Sequence, residues 1–152
     1  MNLSPHFSLL EATKSQKALR WAIDNTPTPV ELANLIQTAK GILEPVRLHY
    51  GIPFSPSSWY RCPELNKTLG SNKNSQHVTG EAVDFEVPGV SNLALAYWIW
   101  NNLPFDQLIL EFYTHGIPNS GWVHCSLTRT NRRSQVLTYD GKFYMAGLPV
   151  EP

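Results

Sequence analysis

His77 and Asp84 stand seven residues apart in the run Ser75-Gln76-His77-Val78-Thr79-Gly80-Glu81-Ala82-Val83-Asp84, an imidazole and a carboxylate on either side of a glycine that lets the chain reverse. Forty residues after Asp84, the segment Trp122-Val123-His124-Cys125-Ser126 brings a second imidazole in a strand-like setting. Three nitrogen and oxygen ligands with a fourth position open are what a catalytic zinc ion requires. A structural zinc site closes its shell with four protein ligands, usually several thiolates, and this chain has two cysteines, Cys62 and Cys125, in no close pair. A His and an Asp at this spacing are common by chance; His124 gives the pair its weight, and Ser75 and Ser126 stand where they can orient the ligands.

These ligands need a scaffold, and 152 residues with 42% hydrophobic content suffice for one domain, residues 1–152, with a full core and no staples. Twelve Lys plus Arg balance twelve Asp plus Glu, so no overall field draws in nucleic acid or an anionic membrane. The one dense basic run, Arg129, Arg132 and Arg133, reads as a solvated turn. The start, Met1-Asn2-Leu3-Ser4-Pro5-His6, lacks the basic and apolar regions of a secretory signal, and no apolar run approaches the roughly 18 residues of a membrane span. The expectation is a soluble, cytoplasmically made, monomeric protein with free thiols.

Ser8-Leu9-Leu10-Glu11 has the capping-box pattern of a short helix, and a second short helix is expected within Ser15 to Ile23. Thr28-Pro29-Val30-Glu31 opens the main helix with a cap, a proline at the first position and a glutamate reaching back. Its apolar residues, Leu32, Leu35, Ile36, Ala39, Ile42, Leu43 and Val46, keep a helical period, and Pro45 is expected to kink or end it. Pro63 opens a short helix and Ser91 caps another running through Trp100. Strands are expected at Ala82–Val87, Asp106–Phe112, Trp122–Leu127 and Gln135–Tyr139. The predicted fold class is α+β, a small antiparallel sheet with helices packed on one face.

Alternation assigns the faces. Val83, Phe85, Val87, Leu108, Leu110, Phe112, Val123, Cys125 and Leu127 fall on the side expected to meet the helices, which makes Cys125 core filling. The other side carries Ala82, Asp84, Glu86, Gln107, Ile109, Glu111, Trp122, His124 and Ser126. A half-solvated antiparallel sheet accounts for such a face as well, but its Trp, His, Ile and Ala are not what water selects.

The Ser-x-His, Gly, Ala, Asp pattern followed by Trp-x-His-x-Ser, together with Tyr60-Arg61-Cys62-Pro63-Glu64-Leu65-Asn66, resembles the zinc D-alanyl-D-alanine peptidase family. That family includes D,D-dipeptidases and phage L-alanyl-D-glutamate endolysins, with the hedgehog signalling domain as a fold relative. The resemblance implies a hedgehog/DD-peptidase-like fold with zinc on the sheet face away from the helices, held by His77, Asp84 and His124. It implies peptidoglycan stem peptides as substrate, cut by a D,D-carboxypeptidase or endolysin-type activity. It also gives Arg61 the role of steadying a substrate carbonyl or carboxylate, although a lone arginine before a helix is also an ordinary capping or salt-bridge residue. Without an export signal, such a protein would reach the wall through a holin, a virion or lysis.

The family pattern is broken where members carry an acidic general base three residues before the last histidine, or a histidine two before it; here stand Gly121 and Trp122. Glu111, on the adjacent strand and the same face, is the expected base, its alternative being a plain strand carboxylate. Asp106 is a weaker candidate base, and His115 could supply a proton or bind substrate. Trp59, Tyr60 and Trp122 are core or rim aromatics that could wall the pocket. A non-catalytic wall-binding or virion structural protein that keeps the fold is the alternative, and a cytoplasmic D,D-dipeptidase a third reading.

Overall fold

The computed structural model describes residues 1–150. The chain opens with a hairpin, β1 (Asn2–Ser4) and β2 (Phe7–Ser8), then α1 (Leu9–Thr13) and α2 (Gln16–Arg20). Ser8 and Glu11 close the capping box at α1, and the Ser15 hydroxyl caps α2. The main helix starts at Pro29 as α3 (Pro29–Thr38), but neither Thr28 nor Glu31 makes a side-chain cap; the backbone signal held and the reciprocal bond did not form. Pro45 does not end the helix. A π-helical segment, Ala39–Leu43, absorbs the missing donor and the helix continues as α4 (Glu44–Tyr50) to Gly51.

After α5 (Pro63–Thr68) and the single turn α6 (Gln76–Thr79) come β3 (Ala82–Phe85), α7 (Asn92–Asn102), β4 (Gln107–Glu111), β5 (Trp122–Ser126), β6 (Gln135–Tyr139) and β7 (Tyr144–Ala146). The five-stranded sheet has the order β3-β5-β4-β6-β7 and is antiparallel except where β6 runs parallel to β4. No helix among the described residues is long and apolar enough to cross a membrane.

The core lies between the sheet and the helices. Leu35, Ile42, Leu43 and Val46 of the main helix, Leu95 and Ile99 of α7, and Val83, Phe85, Leu108, Leu110, Val123 and Cys125 of the sheet are each fully buried. Cys62 and Cys125 are buried free thiols, and Cys62 sulfur accepts from Leu65 N–H at the start of α5. His6 is satisfied by Glu44, and His49 stacks on Trp98 with ring centroids 4.4 Å apart.

Phe112 departs from the expected face. It is 48% exposed, has φ +51°, and stacks on Trp122 and against Tyr139, on the side opposite the helices. Alternation holds only while the backbone stays extended, and it ends at Glu111 because the hairpin begins there. Across that hairpin Gly121, at φ +68°, sits so close that a Cβ would run into the Glu111 carbonyl oxygen. No side chain of any kind fits at residue 121.

Candidate metal centre

The register of the sheet brings two of the three candidate ligands into one row. Asp84 on β3 pairs directly with His124 on β5, which pairs with Ile109 on β4. Residues directly opposite hold their Cβ atoms about 5 Å apart, within reach of a shared ion. The Asp84 backbone is fixed on its free side too, since its N–H donates to Ser58 carbonyl at 2.7 Å and its carbonyl accepts from Ser57 N–H at 2.9 Å.

His77 arrives from α6 and is held at three points. Ser75 hydroxyl accepts its backbone N–H at 3.3 Å, its carbonyl accepts from Arg61 N–H at 3.1 Å, and its ring Nδ1 lies 2.6 Å from Trp59 carbonyl oxygen. A carbonyl only accepts, so Nδ1 carries the proton and Nε2 is bare. Gly80 ends the turn at φ +81°, where a Cβ would stand 2.8 Å from Glu31 carbonyl oxygen, so the turn docks tightly on α3. Thr38 hydroxyl and Asn34 amide complete the docking through bonds to Gly80 and Thr79 carbonyls, both 2.9 Å.

Nε2 of His77 lies 3.2 Å from Asp84 Oδ2, and Nδ1 of His124 lies 2.8 Å from Asp84 Oδ1. One donor atom from each of the three residues falls within 4.8 Å of the others, and His77 is 2% exposed. Ligands at the corners of a tetrahedron with metal bonds of about 2 Å stand about 3.3 Å apart, so the donor set has the size and chemistry for a zinc-like ion. Burial pushes the His77 imidazole down against the opposing pull of Asp84, which keeps it neutral as a ligand must be. Burial pushes Asp84 up, but His77 and His124 overcome it and hold the carboxyl well below the usual carboxylate range.

The row opens onto a cleft of about 510 Å³ lined by His124, Glu111, Ile109, Tyr144, Gln107 and Arg133, among others. Glu111, opposite Trp122, is half-buried in it. Burial raises its carboxyl above the usual range, His124 opposes that, and Asp84 adds to it. Arg61 lies beside a separate hollow that also holds Lys14 and Lys17. Its Nη1 donates to Ser71 hydroxyl at 3.1 Å, while its buried Nε has no partner among the described residues. It is near enough to Asp84 for the two charges to interact.

Several expected roles are redistributed. Ser126 makes no hydrogen bond to either histidine; fully buried, its hydroxyl accepts Gln107 N–H at 3.1 Å and ties β5 to β4. Ser75 acts on the backbone of His77, while the ring is oriented by Trp59 carbonyl, a main-chain group that no side-chain motif reveals. His115 is exposed in the loop after β4, with its ring against Tyr113, and does not line the cleft.

Asp106 is committed elsewhere. It is 3% exposed and accepts from Arg133 backbone N–H, Nε and Nη2 and from Gln76 Nε2. The Arg133 hydrogen bond, against the cost of burial, lowers its carboxyl to about 2, too acidic for a proton acceptor at neutral pH. Arg133 therefore has a buried partner and a place in the cleft, which its sequence surroundings concealed. A carboxyl depressed on folding contributes stability above its unfolded pKa, near 4, and loses it as pH falls towards 2. Asp106→Asn is expected to cost about 1–2 kcal/mol at pH 7, discounted for the half-exposed arginine. In urea titrations the gap from wild type should narrow between about pH 4 and pH 2; a gap constant over that range would rule the ion pair out as its source.

A family model described as Peptidase M15 matches residues 5–126. No curated protein matches the chain significantly.

Proposed function

From the premise that this chain belongs to the Peptidase M15 family and is a metallopeptidase, we propose that it is zinc-dependent and hydrolyses peptide bonds in the stem peptides of bacterial peptidoglycan. The observation that carries the reading is the cluster of His77, Asp84 and His124, of which His124 lines the cleft together with Glu111. A zinc ion held there supplies Lewis acidity, polarising a peptide carbonyl and lowering the pKa of water towards about 7. Glu111 accepts the proton of the attacking water and returns it to the leaving nitrogen. Arg61, which borders a separate hollow but lies near enough to Asp84 to interact with its charge, acts on negative charge of the substrate through its permanent charge. Trp59 carbonyl keeps His77 in the one tautomer that can ligate.

The missing acid at Gly121 does not by itself favour a non-catalytic protein, since Glu111 stands one residue along the same hairpin in the cleft. In the cell, release from the cytoplasm by a holin, a virion or lysis would bring the protein to its substrate. Purified peptidoglycan digested with zinc-loaded protein, beside a chelator-treated control, is expected to release fragments whose masses identify the bond cut. Sacculi left intact by protein that retains zinc would turn the reading to a wall-binding or structural role, and cleavage of free D-Ala-D-Ala alone to a dipeptidase.

A further inference from the structure

The site face of the sheet is graded along the strands. One level holds Trp122 and Glu111; the next holds Asp84, His124, Ile109 and Leu137; the third holds Ser126, Gln107 and Gln135. Arg133 precedes Gln135 by two residues, outside β6 and beyond Ser134 at φ +51°, and lines the same cleft past that third level. Same-face residues along a strand are about 7 Å apart, so the Gln107 and Gln135 level lies about two extended peptide residues from the row of Asp84 and His124, with Arg133 beyond it.

Arg133 is built as a fixed donor there. Its Nε and Nη2 bond the buried Asp106 carboxylate, at 3.2 and 2.7 Å, and Nη2 also reaches Gln76 Oε1 at 3.3 Å. Nη1 has no partner among the described residues, and the side chain is half exposed. A guanidinium immobilised along one edge loses little entropy when its other edge binds. Around it the side chains are neutral amides: Gln107 donates to Gln135 Oε1 at 2.8 Å, which leaves the Gln135 NH2 as a further donor. Asp106 lies behind Arg133, and the one carboxylate lining the cleft, Glu111, is at the opposite end of the grading.

We propose that Arg133, through its free Nη1 edge and with Gln135 beside it, is a specificity subsite for a substrate carboxylate about two residues or more from the scissile bond. The proposal rests on the peptidase reading for its substrate class. It makes the enzyme discriminate between stem peptides whose carboxyl at that place is free and those in which it is amidated. Arg133 acts on specificity and binding; it does not take part in bond cleavage.

The test compares synthetic stem peptides with free carboxyls against the same peptides with each carboxyl amidated in turn, by calorimetric Kd and by kcat/KM on zinc-loaded protein. One amidation is expected to cost wild type about ten- to a hundredfold, the range for hydrogen bonds to a charged group. Arg133→Gln should reduce that penalty to below about twofold and Arg133→Lys should leave an intermediate value, because an ammonium keeps the charge without the fork. A merely structural clamp would lower affinity for both peptides together and leave their ratio unchanged. Equal treatment of all peptides by wild type, or a full penalty persisting in Arg133→Gln, overturns the proposal. Carboxylate preference in binding without cleavage would leave the subsite standing and remove the peptidase reading, whereas cleavage without preference does the reverse.

Discussion

Glu111→Gln protein is expected to retain its zinc, keep KM within a few-fold, and lose about 10²–10⁴-fold in kcat, the usual contribution of a positioned proton acceptor. Gln matches Glu in shape, so the loss would follow from the missing lone-pair basicity. The position is imposed by the hairpin. A side chain at residue 121 would run into the Glu111 carbonyl, so the acid cannot stand three residues before His124; the proposed base stands instead on the neighbouring strand, at the pair Glu111 and Trp122. Burial in the cleft, reinforced by Asp84 although opposed by His124, holds this carboxyl above its ordinary value. A base works when deprotonated, so wild-type kcat/KM should rise with pH through that raised pKa, and the acid limb should vanish in the variant. Stability gives an independent sign. A carboxylate raised on folding is destabilising at neutral pH, so metal-free Glu111→Gln should melt no lower than metal-free wild type. A variant keeping more than a tenth of wild-type kcat would remove Glu111 from the role.

Much of this was legible from local signals. The Ser8 and Glu11 box, Ser91 as a cap and the Gln135–Tyr139 strand are short-range features whose physics lies within a few residues. The two-residue period placed Asp84, His124 and Glu111 on one face because β3, β4 and β5 remain extended across them. What escaped is what depends on distant partners or on the main chain. Phe112 turned outward because the hairpin switches its φ sign, and Pro45 was absorbed by a π segment. The Trp59 carbonyl that orients His77 carries no side-chain signature. Arg133 looked like one of three loop arginines because its partner, Asp106, lies 27 residues earlier in the chain. Strand β7 was missed because all three of its residues are exposed, leaving no alternation of burial to read.

Asp84 is the proposed ligand whose removal reads the centre most cleanly. His77 is almost fully buried and docked through a turn on α3, so its loss would disturb packing as well as coordination. Asp84 is pinned by its main chain to Ser58 and to the strand carrying His124, so the backbone should survive a change of side chain. It also bridges both imidazoles, 3.2 Å from His77 and 2.8 Å from His124, and brings the only negative charge in the ligand set. Loss of a group that merely orients a ligand weakens metal binding about 10–100-fold. Loss of a ligand with its charge should exceed that, so Asp84→Ala is expected to weaken zinc binding by more than about a hundredfold and to leave activity below about 1% of wild type. Asp84→Asn, which keeps the shape and a neutral oxygen donor, should fall between the two. Zinc content after dialysis against a chelator, measured beside circular dichroism, separates loss of metal from loss of fold. Stoichiometric zinc in the folded alanine variant would show that the ion sits elsewhere, and the functional assignment of this face of the sheet would go with it.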